Sequence, residues 1–369
     1  MKIDLAIFAA TSGHSGVDRV LRNLVPEIAR LGLRVDVLGI DGHGPHFDAL
    51  PDGMRHLRLG ARHVYTALPA LVRYLRRTRP QALLTDKDRV NRTALCAQRL
   101  ARTATRLYFR QGTTVSVDLA SRGLTDRWVQ SWSMRTLYRL ADGLLVPSHG
   151  AADDLAAFAG VAREAIRVVP SPIVTPELSA KAAEPIDHPW AAAGQPPLIL
   201  GVGELSERKD FATLLHAFAQ VRACRPCRLM ILGEGRRRVA LEKLAVDLGV
   251  AADVALPGFC PNPYPWMAKA AVFALTSRWE GMPVVLIEAL ALGTPSVACD
   301  CPSGPREVLD GGRHGALAPV GDIAAVAAGL LRQLDTPTPA AVSRAAVQGY
   351  TAEASARAYL AALGFGEFQ

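Results

Sequence analysis

Two glutamates with seven residues between them, Glu280 and Glu288, bracket a segment suited to holding an anion. Gly281, Met282, Pro283, Val284 and Val285 follow the first of them, and an apolar run ending at Leu275 precedes it. Pro283 fits the first turn of a helix, where its missing N–H costs nothing, and Gly293 supplies a stop. The free N–H groups from Gly281 to Val285 would then face negative charge at the helix start. Carboxylates on either side accept hydrogen bonds from hydroxyls. A diphosphate flanked by two hydroxyl-rich groups, which is a nucleotide sugar, matches that description. Singly, Glu280 reads as a solvated loop residue and Glu288 as an ordinary helix charge; it is their combination that points to chemistry. A cationic pair, Arg208-Lys209, follows another glycine-containing strand end, Gly201-Val202-Gly203.

These segments need elements to hold them. Short apolar runs alternate with helical patterns through both halves of the chain, the mark of parallel sheets covered by helices. Strands are expected at 3–8, 35–40, 82–85, 106–109 and 143–147, with helices at 17–31, closed by Gly32, and at 68–78. Seven prolines crowd between Pro170 and Pro197, so 176–196 reads as a linker. Strands at 198–202, 228–232, 254–256, 272–275 and 296–298 then alternate with helices at 211–221, 237–248 and 283–292. The expected architecture is α/β: two doubly wound domains, 1–175 and 197–350, facing across a cleft. A final amphipathic helix, within 351–369, is free to pack back on the first domain.

With 369 residues, 50% of them apolar, the chain is neither disordered nor too short for two cores. No run of 18 or more uncharged apolar residues suggests a membrane span. Residues 1–10 read as a buried first strand, not a signal peptide. Six cysteines without framework spacing fit a reducing, cytoplasmic compartment. Residues 1–180 hold 25 Lys and Arg against 16 Asp and Glu, whereas the remainder holds 17 against 18. Fourteen of the basic residues fall in 55–110, where only Asp86 and Asp88 oppose them. A solvated face would explain this, but such a field also attracts an anionic membrane or a lipid diphosphate, aided by the amphipathic segment 68–78. Nucleic acid is not expected, because no stacking motif or zinc module accompanies the charge. Gly201-x-Gly203-x-x-Ser206 lacks the third glycine of a dinucleotide fingerprint, and beside Cys224-Arg-Pro-Cys227 and Cys299-Asp-Cys301 no second pair has the spacing of metal ligands. Neither a cofactor nor a metal is expected.

The Glu-x7-Glu spacing, with Gly-x-Pro inside it and Glu-Ala-Leu-Ala-Leu-Gly-Thr-Pro after it, resembles the retaining glycosyltransferases of family 4, which have the GT-B fold. The likeness continues through Gly201–Phe211, Leu232-Gly233-Glu234-Gly235, Cys301–Leu309 and the segment from Gly315 to Asp322. In the first half it rests mainly on the loop Gly13–Val20. The resemblance implies a nucleotide-sugar donor, a uridine diphosphate sugar above all, bound by the C-terminal domain. The acceptor, a glycan or polyprenyl-linked saccharide, would bind the N-terminal one. Glu280, Lys209 and Arg208 are the catalytic residues it implies, with the cations on the departing diphosphate and Glu280 on a donor-sugar hydroxyl. Gly16, Gly203 and Gly281 to Val285 would bind the donor, and Glu288 its ribose. Transfer would retain the anomeric configuration by same-face attack, peripherally on the cytoplasmic face of the membrane.

Two positions depart from the family's pattern. Glu204 stands where an arginine is frequent, and the segment Tyr108-Phe109-Arg110-Gln111-Gly112-Thr113 lacks a first-domain histidine that many relatives carry. Arg110, Gln111 and His14 are the candidates to face the donor sugar or acceptor instead. A nucleotide-sugar epimerase on the same architecture and a non-catalytic sugar-binding homologue are the alternatives.

Overall fold

A computed structural model describes residues 3–11, 13, 16–47, 49–120 and 123–366. The chain divides into two units, Met1–Pro172 with Tyr350–Gln369, and Ile173–Gly349.

The first unit has seven strands: β1 (Leu5–Phe8), β2 (Val35–Gly39), β3 (Met54–Arg58), β4 (Ala82–Asp86), β5 (Arg106–Arg110), β6 (Gly143–Val146) and β7 (Ile166–Val168). They pair in parallel in the order β3-β2-β1-β4-β5-β6-β7. Parallel pairing demands crossovers, and those from β1 to β2 and from β3 onward carry helices α1 (Gly16–Arg30), α2 (Leu68–Thr78), α3 (Asp88–Ala101), α4 (Val115–Ala120), α5 (Leu124–Leu137) and α6 (His149–Ala159). Side chains alternate across the sheet. Ala6, Phe8, Leu83, Leu107 and Phe109 face a core closed by α2, α3, α5 and α6. Leu5, Ile7, Ala82, Leu84 and Tyr108 face the opposite core, closed by α1 and by the chain's last helix. Gly32 ends α1 with φ +89 and a bond from its N–H to the carbonyl of Ala29.

The second unit opens with α7 (Pro176–Ala182) and continues as β8 (Leu198–Val202), α8 (Phe211–Cys224), β9 (Arg228–Leu232), α9 (Arg238–Asp247) and β10 (Val254–Gly258). Next come α10 (Tyr264–Lys269), β11 (Val272–Leu275), α11 (Val284–Ala291), β12 (Ser296–Cys299) and α12 (Pro305–Val308). It closes with β13 (Ala316–Ala318), α13 (Ile323–Asp335) and α14 (Ala340–Ala345). Its six strands are parallel in the order β10-β9-β8-β11-β12-β13. The order reverses between β8 and β11, so the loops leaving these neighbours diverge and open a crevice at their carboxyl ends. α15 (Ala352–Ala362) returns to the first unit and packs on α1.

The stretch 176–196, read from its prolines as a linker, lies inside the second unit. Pro176 occupies the first turn of α7, and Pro189 starts a short 3-10 turn, so these prolines begin helical turns. Asn262 Nδ2 donates to the Lys181 carbonyl at 2.9 Å and to Glu184 at 2.8 Å, tying the segment to the loop ahead of α10. The amphipathic segment 68–78 is α2, and its apolar face is turned inward: Leu71 and Leu75 are fully buried. That face belongs to the sheet core and is not offered to a lipid.

Candidate active site

β8 and β11 are neighbours, and hydrogen bonds tie the start of the loop after one to the loop after the other before the two part. Thr276 Oγ1 donates to the Lys209 carbonyl at 3.1 Å, and the Arg278 N–H to the Arg208 carbonyl at 2.8 Å. Arg278 Nε reaches Asp210 Oδ2 at 3.0 Å, while Asp210 caps α8 through Thr213. Two segments about seventy residues apart are thus held as one surface.

On that surface lies a buried ion cluster. Lys209 Nζ donates to Glu280 Oε1 at 2.6 Å, Arg208 Nη1 to Glu280 Oε2 at 2.8 Å, and Ser277 Oγ to Oε1 at 2.7 Å. Lys209 and Glu280 are 7% and 5% exposed, whereas the Arg208 side chain is about a third exposed. Burial lowers the Lys209 pKa below the ordinary lysine value, against the opposing pull of Glu280. Gly203 permits this arrangement, since a Cβ there would stand 2.9 Å from Lys209 Cε. Gly233 is required too, because its Cβ would collide with the Gly203 carbonyl oxygen.

Glu280 is followed by the start of α11. Pro283 is the residue before the helix, and its carbonyl accepts from Leu286 and Ile287. The row of free N–H groups is shorter than the sequence suggested, because Val284 N–H bonds to the Met282 carbonyl at 2.9 Å and Pro283 has none. Among the described residues the N–H groups of Gly281, Met282 and Val285 find no backbone acceptor. Ser303 Oγ donates to the Gly281 carbonyl, and Gly304 approaches Pro283 so closely that a Cβ would stand 2.5 Å from its Cδ. Glu288, just over a turn inside the helix and 2% exposed, accepts from Tyr264 Oη at 2.9 Å. Buried Cys301 has its thiol pushed up to about 12 by burial and by the Glu280 charge, so it stays protonated and unreactive.

The structure therefore joins Arg208, Lys209 and Glu280, with Gly203 against Lys209 and residues 281–285 following Glu280 in the chain. Ser277, Ser303 and Tyr264 escaped the sequence reading. Ser277 stands three residues before Glu280 and was within reach of it, whereas nothing local marks Tyr264.

The first-unit candidates fare differently. Arg110 is fully buried and committed to Asp86, to Tyr359 Oη at 2.7 Å and to Ser171 Oγ, so that each of its three side-chain nitrogens is engaged. Burial opposes its charge, but Tyr359 and Asp86 more than compensate, and the residue ties β5 to α15. Gln111 is buried, with Nε2 at 3.4 Å from Thr113 Oγ1 and Oε1 without a partner. Gly16 opens α1 at an exposed position, where a Cβ would meet no described atom within 4 Å. His14 lies outside the described residues. Among the described residues no cluster of three metal-ligating side chains occurs, and no helix is long and apolar enough to cross a membrane.

Residues 196–336 match the family described as glycosyl transferases group 1, and residues 15–172 the glycosyl transferase 4-like domain. The chain is 30% identical over 341 residues, 90% of each protein, to the N-acetylgalactosamine-N,N'-diacetylbacillosaminyl-diphospho-undecaprenol 4-alpha-N-acetylgalactosaminyltransferase of Campylobacter jejuni. It is 28% identical over 173 residues, 45% of each, to the lipopolysaccharide 1,6-galactosyltransferase of Escherichia coli K12. Among solved structures, the lipopolysaccharide outer core galactosyltransferase WaaB superposes with a TM-score of 0.75 at 19% identity, covering 98% of this chain and 99% of that one. Anabaena Alr3699/HepE in complex with UDP gives 0.76 at 16%, covering 99% and 100%. Both share the GT-B fold seen here as two parallel sheets.

Proposed function

We propose, for a chain that belongs to family 4 of the glycosyltransferases, that it transfers a hexosyl or N-acetylhexosaminyl group from a uridine diphosphate sugar with retention of configuration. The acceptor is a hydroxyl of a glycan or polyprenyl-linked saccharide in cell-surface polysaccharide synthesis, a reading supported by the names of the relatives. One observation carries the reading: a buried lysine and its arginine neighbour converge on Glu280 directly ahead of Gly281, Met282 and Val285, whose N–H groups find no backbone acceptor.

Leaving-group departure breaks the bond from the anomeric carbon to the β-phosphate oxygen and builds negative charge there. Lys209, Arg208 and the α11 N-terminus supply preorganised positive potential, an arrangement typically worth about 10²–10³ in rate per donor. Glu280 keeps Lys209 in place and accepts from a donor-sugar hydroxyl. Glu288, steadied by Tyr264, accepts from the ribose. The acceptor oxygen bonds the anomeric carbon on the face the diphosphate leaves, and its proton passes to the departing phosphate oxygen. With these cations on the diphosphate, no divalent metal is needed, and EDTA should leave the rate unchanged. The protein works at the cytoplasmic surface of the membrane, drawn there by the basic region 55–110.

Incubation with a panel of nucleotide sugars, with and without a membrane extract, tests this by nucleoside diphosphate release. Release that depends on the extract, with sugar recovered in a lipid-extractable product, is the expected result. Isomerised free donor without an acceptor would identify an epimerase instead, and absence of any turnover would favour a binding protein.

A further inference from the structure

We propose that α5 is a membrane-docking helix, its outward stripe of Leu124, Trp128 and Trp132 seated in the interface of an anionic bilayer. The inference deepens the membrane reading above and is independent of which sugar is transferred. These residues recur every four positions and so share one helical face. Leu124 is 83% exposed, Trp128 70% and Trp132 50%. Scattered exposed apolar side chains are ordinary, but two tryptophans and a leucine in line form a patch that needs a partner.

The helix cannot turn this face away. On its inner side Met134 is buried, and Ser133 Oγ donates to the buried Asp88 Oδ1 at 2.7 Å. Just beyond its end, buried Tyr138 accepts from Asn91 Nδ2 at 3.1 Å. Both Asp88 and Asn91 lie on α3, so α5 is fastened to α3 in a single orientation.

Charge then selects the partner. α2 and α3 cover the same face of the sheet as α5 and expose Arg73, Arg76, Arg77, Arg89 and Arg99. Between residues 59 and 105 the acidic residues are Asp86 and Asp88, and both are buried. α5 adds exposed Arg127 and Arg135, while its Asp126 lies two positions on from Leu124, round the helix from the stripe. A cationic field spread over three helices, beside an indole-rich strip, matches a surface that is anionic outside and apolar just beneath. Tryptophan concentrates at that depth of a bilayer, and arginines meet the lipid phosphates above it. The apolar contribution expected of 68–78 comes from α5 instead, because α2 spends its apolar face on the core.

Flotation of the full chain with vesicles decides the matter. Phosphatidylglycerol-containing vesicles should carry the protein, and pure phosphatidylcholine vesicles should not. The pair Trp128→Ser and Trp132→Ser should weaken binding by roughly tenfold or more, while each lost arginine on α2 costs about five-fold at low salt. Thermal unfolding and transfer to a water-soluble acceptor should stay at the wild-type level. Brominated lipid should quench wild-type tryptophan fluorescence and leave that of the double variant, which retains Trp190, Trp266 and Trp279, nearly untouched. Equal vesicle binding by wild type and the double variant would overturn the α5 assignment yet leave the membrane reading standing. Failure of the wild type to bind anionic vesicles would overturn both, without touching sugar transfer. A double variant that sediments as a smaller species than wild type, with vesicle binding unchanged, would give the stripe to a second copy of the chain.

Discussion

Each unit buries a guanidinium or ammonium against a carboxylate, but the two do different work. In the first, Arg110 finds Asp86 at the end of β4, Tyr359 on α15 and Ser171 in the segment after β7, and each of its nitrogens is engaged. In the second, Lys209 and Arg208 share one carboxylate, on loops at the reversal of strand order, beside N–H groups without backbone acceptors. A buried charge engaged at each of its nitrogens by one unit fits a scaffold role. A buried charge at the mouth of a helix, beside N–H groups without a backbone acceptor, is what the proposed diphosphate site requires. Lys209 is buried much as Arg110 is; what differs is that its cluster lies on loops beside N–H groups without a backbone acceptor.

Replacing Arg110 should break that comparison most severely. Arg110→Met leaves Asp86 buried and unpaired, at a cost of about 3–5 kcal/mol. A large fall in melting temperature is expected, with kcat near normal well below the transition; a melting temperature like wild type would mean that Asp86 is not dependent on it. Lys209→Met comes next, because Glu280 keeps Arg208 and Ser277 as partners. Its kcat/KM should fall on the order of 10²–10³-fold while the protein stays folded by circular dichroism. Full activity in that variant would remove the lysine from the mechanism.

The third effect is a pH dependence. Lys209 loses its proton more readily in the folded chain than in the unfolded one, since burial lowers its pKa. Donor binding should therefore weaken on the alkaline side at a pH below that of an ordinary lysine, and Lys209→Arg should abolish this limb. For stability the sign is the reverse: between the folded and unfolded values the unfolded chain holds more protons, so the Lys209 contribution rises with pH. Titration calorimetry with a nucleoside diphosphate across the alkaline range checks the first, and denaturant melts check the second. The smallest effect belongs to Tyr264→Phe, which removes one hydrogen bond worth about 1 kcal/mol from Glu288. Donor affinity should drop several-fold with kcat held, whereas a collapse of kcat would assign Tyr264 to the reaction itself.

Much of this organisation is legible in the sequence, for identifiable reasons. Strands such as β8, β9 and β11 are short unbroken apolar runs ending at glycine or polar residues, as buried parallel strands must be. The bounds of α11 follow from Pro283 and Gly293. The prolines of 176–196 mislead because proline disfavours continuing a helix and equally favours starting one. α5 does not stand out as a surface because apolar residues lie on both its faces: Met134 and Leu137 inward or half-buried, Trp128 and Trp132 outward. Arg110 looks available in the sequence because its partner Tyr359 lies nearly 250 residues away.

The alternation of elements, the charge imbalance between halves and the two-glutamate loop are properties of the chain read in order, since hydrophobic period and capping act over a few residues. Which charges are spent and which are free depends on side chains that meet only when β8 settles beside β11 and α15 returns to β5. Those encounters, like the outward aim of Trp128 and Trp132, are set by strand order and by what each helix must bury. No local pattern encodes them.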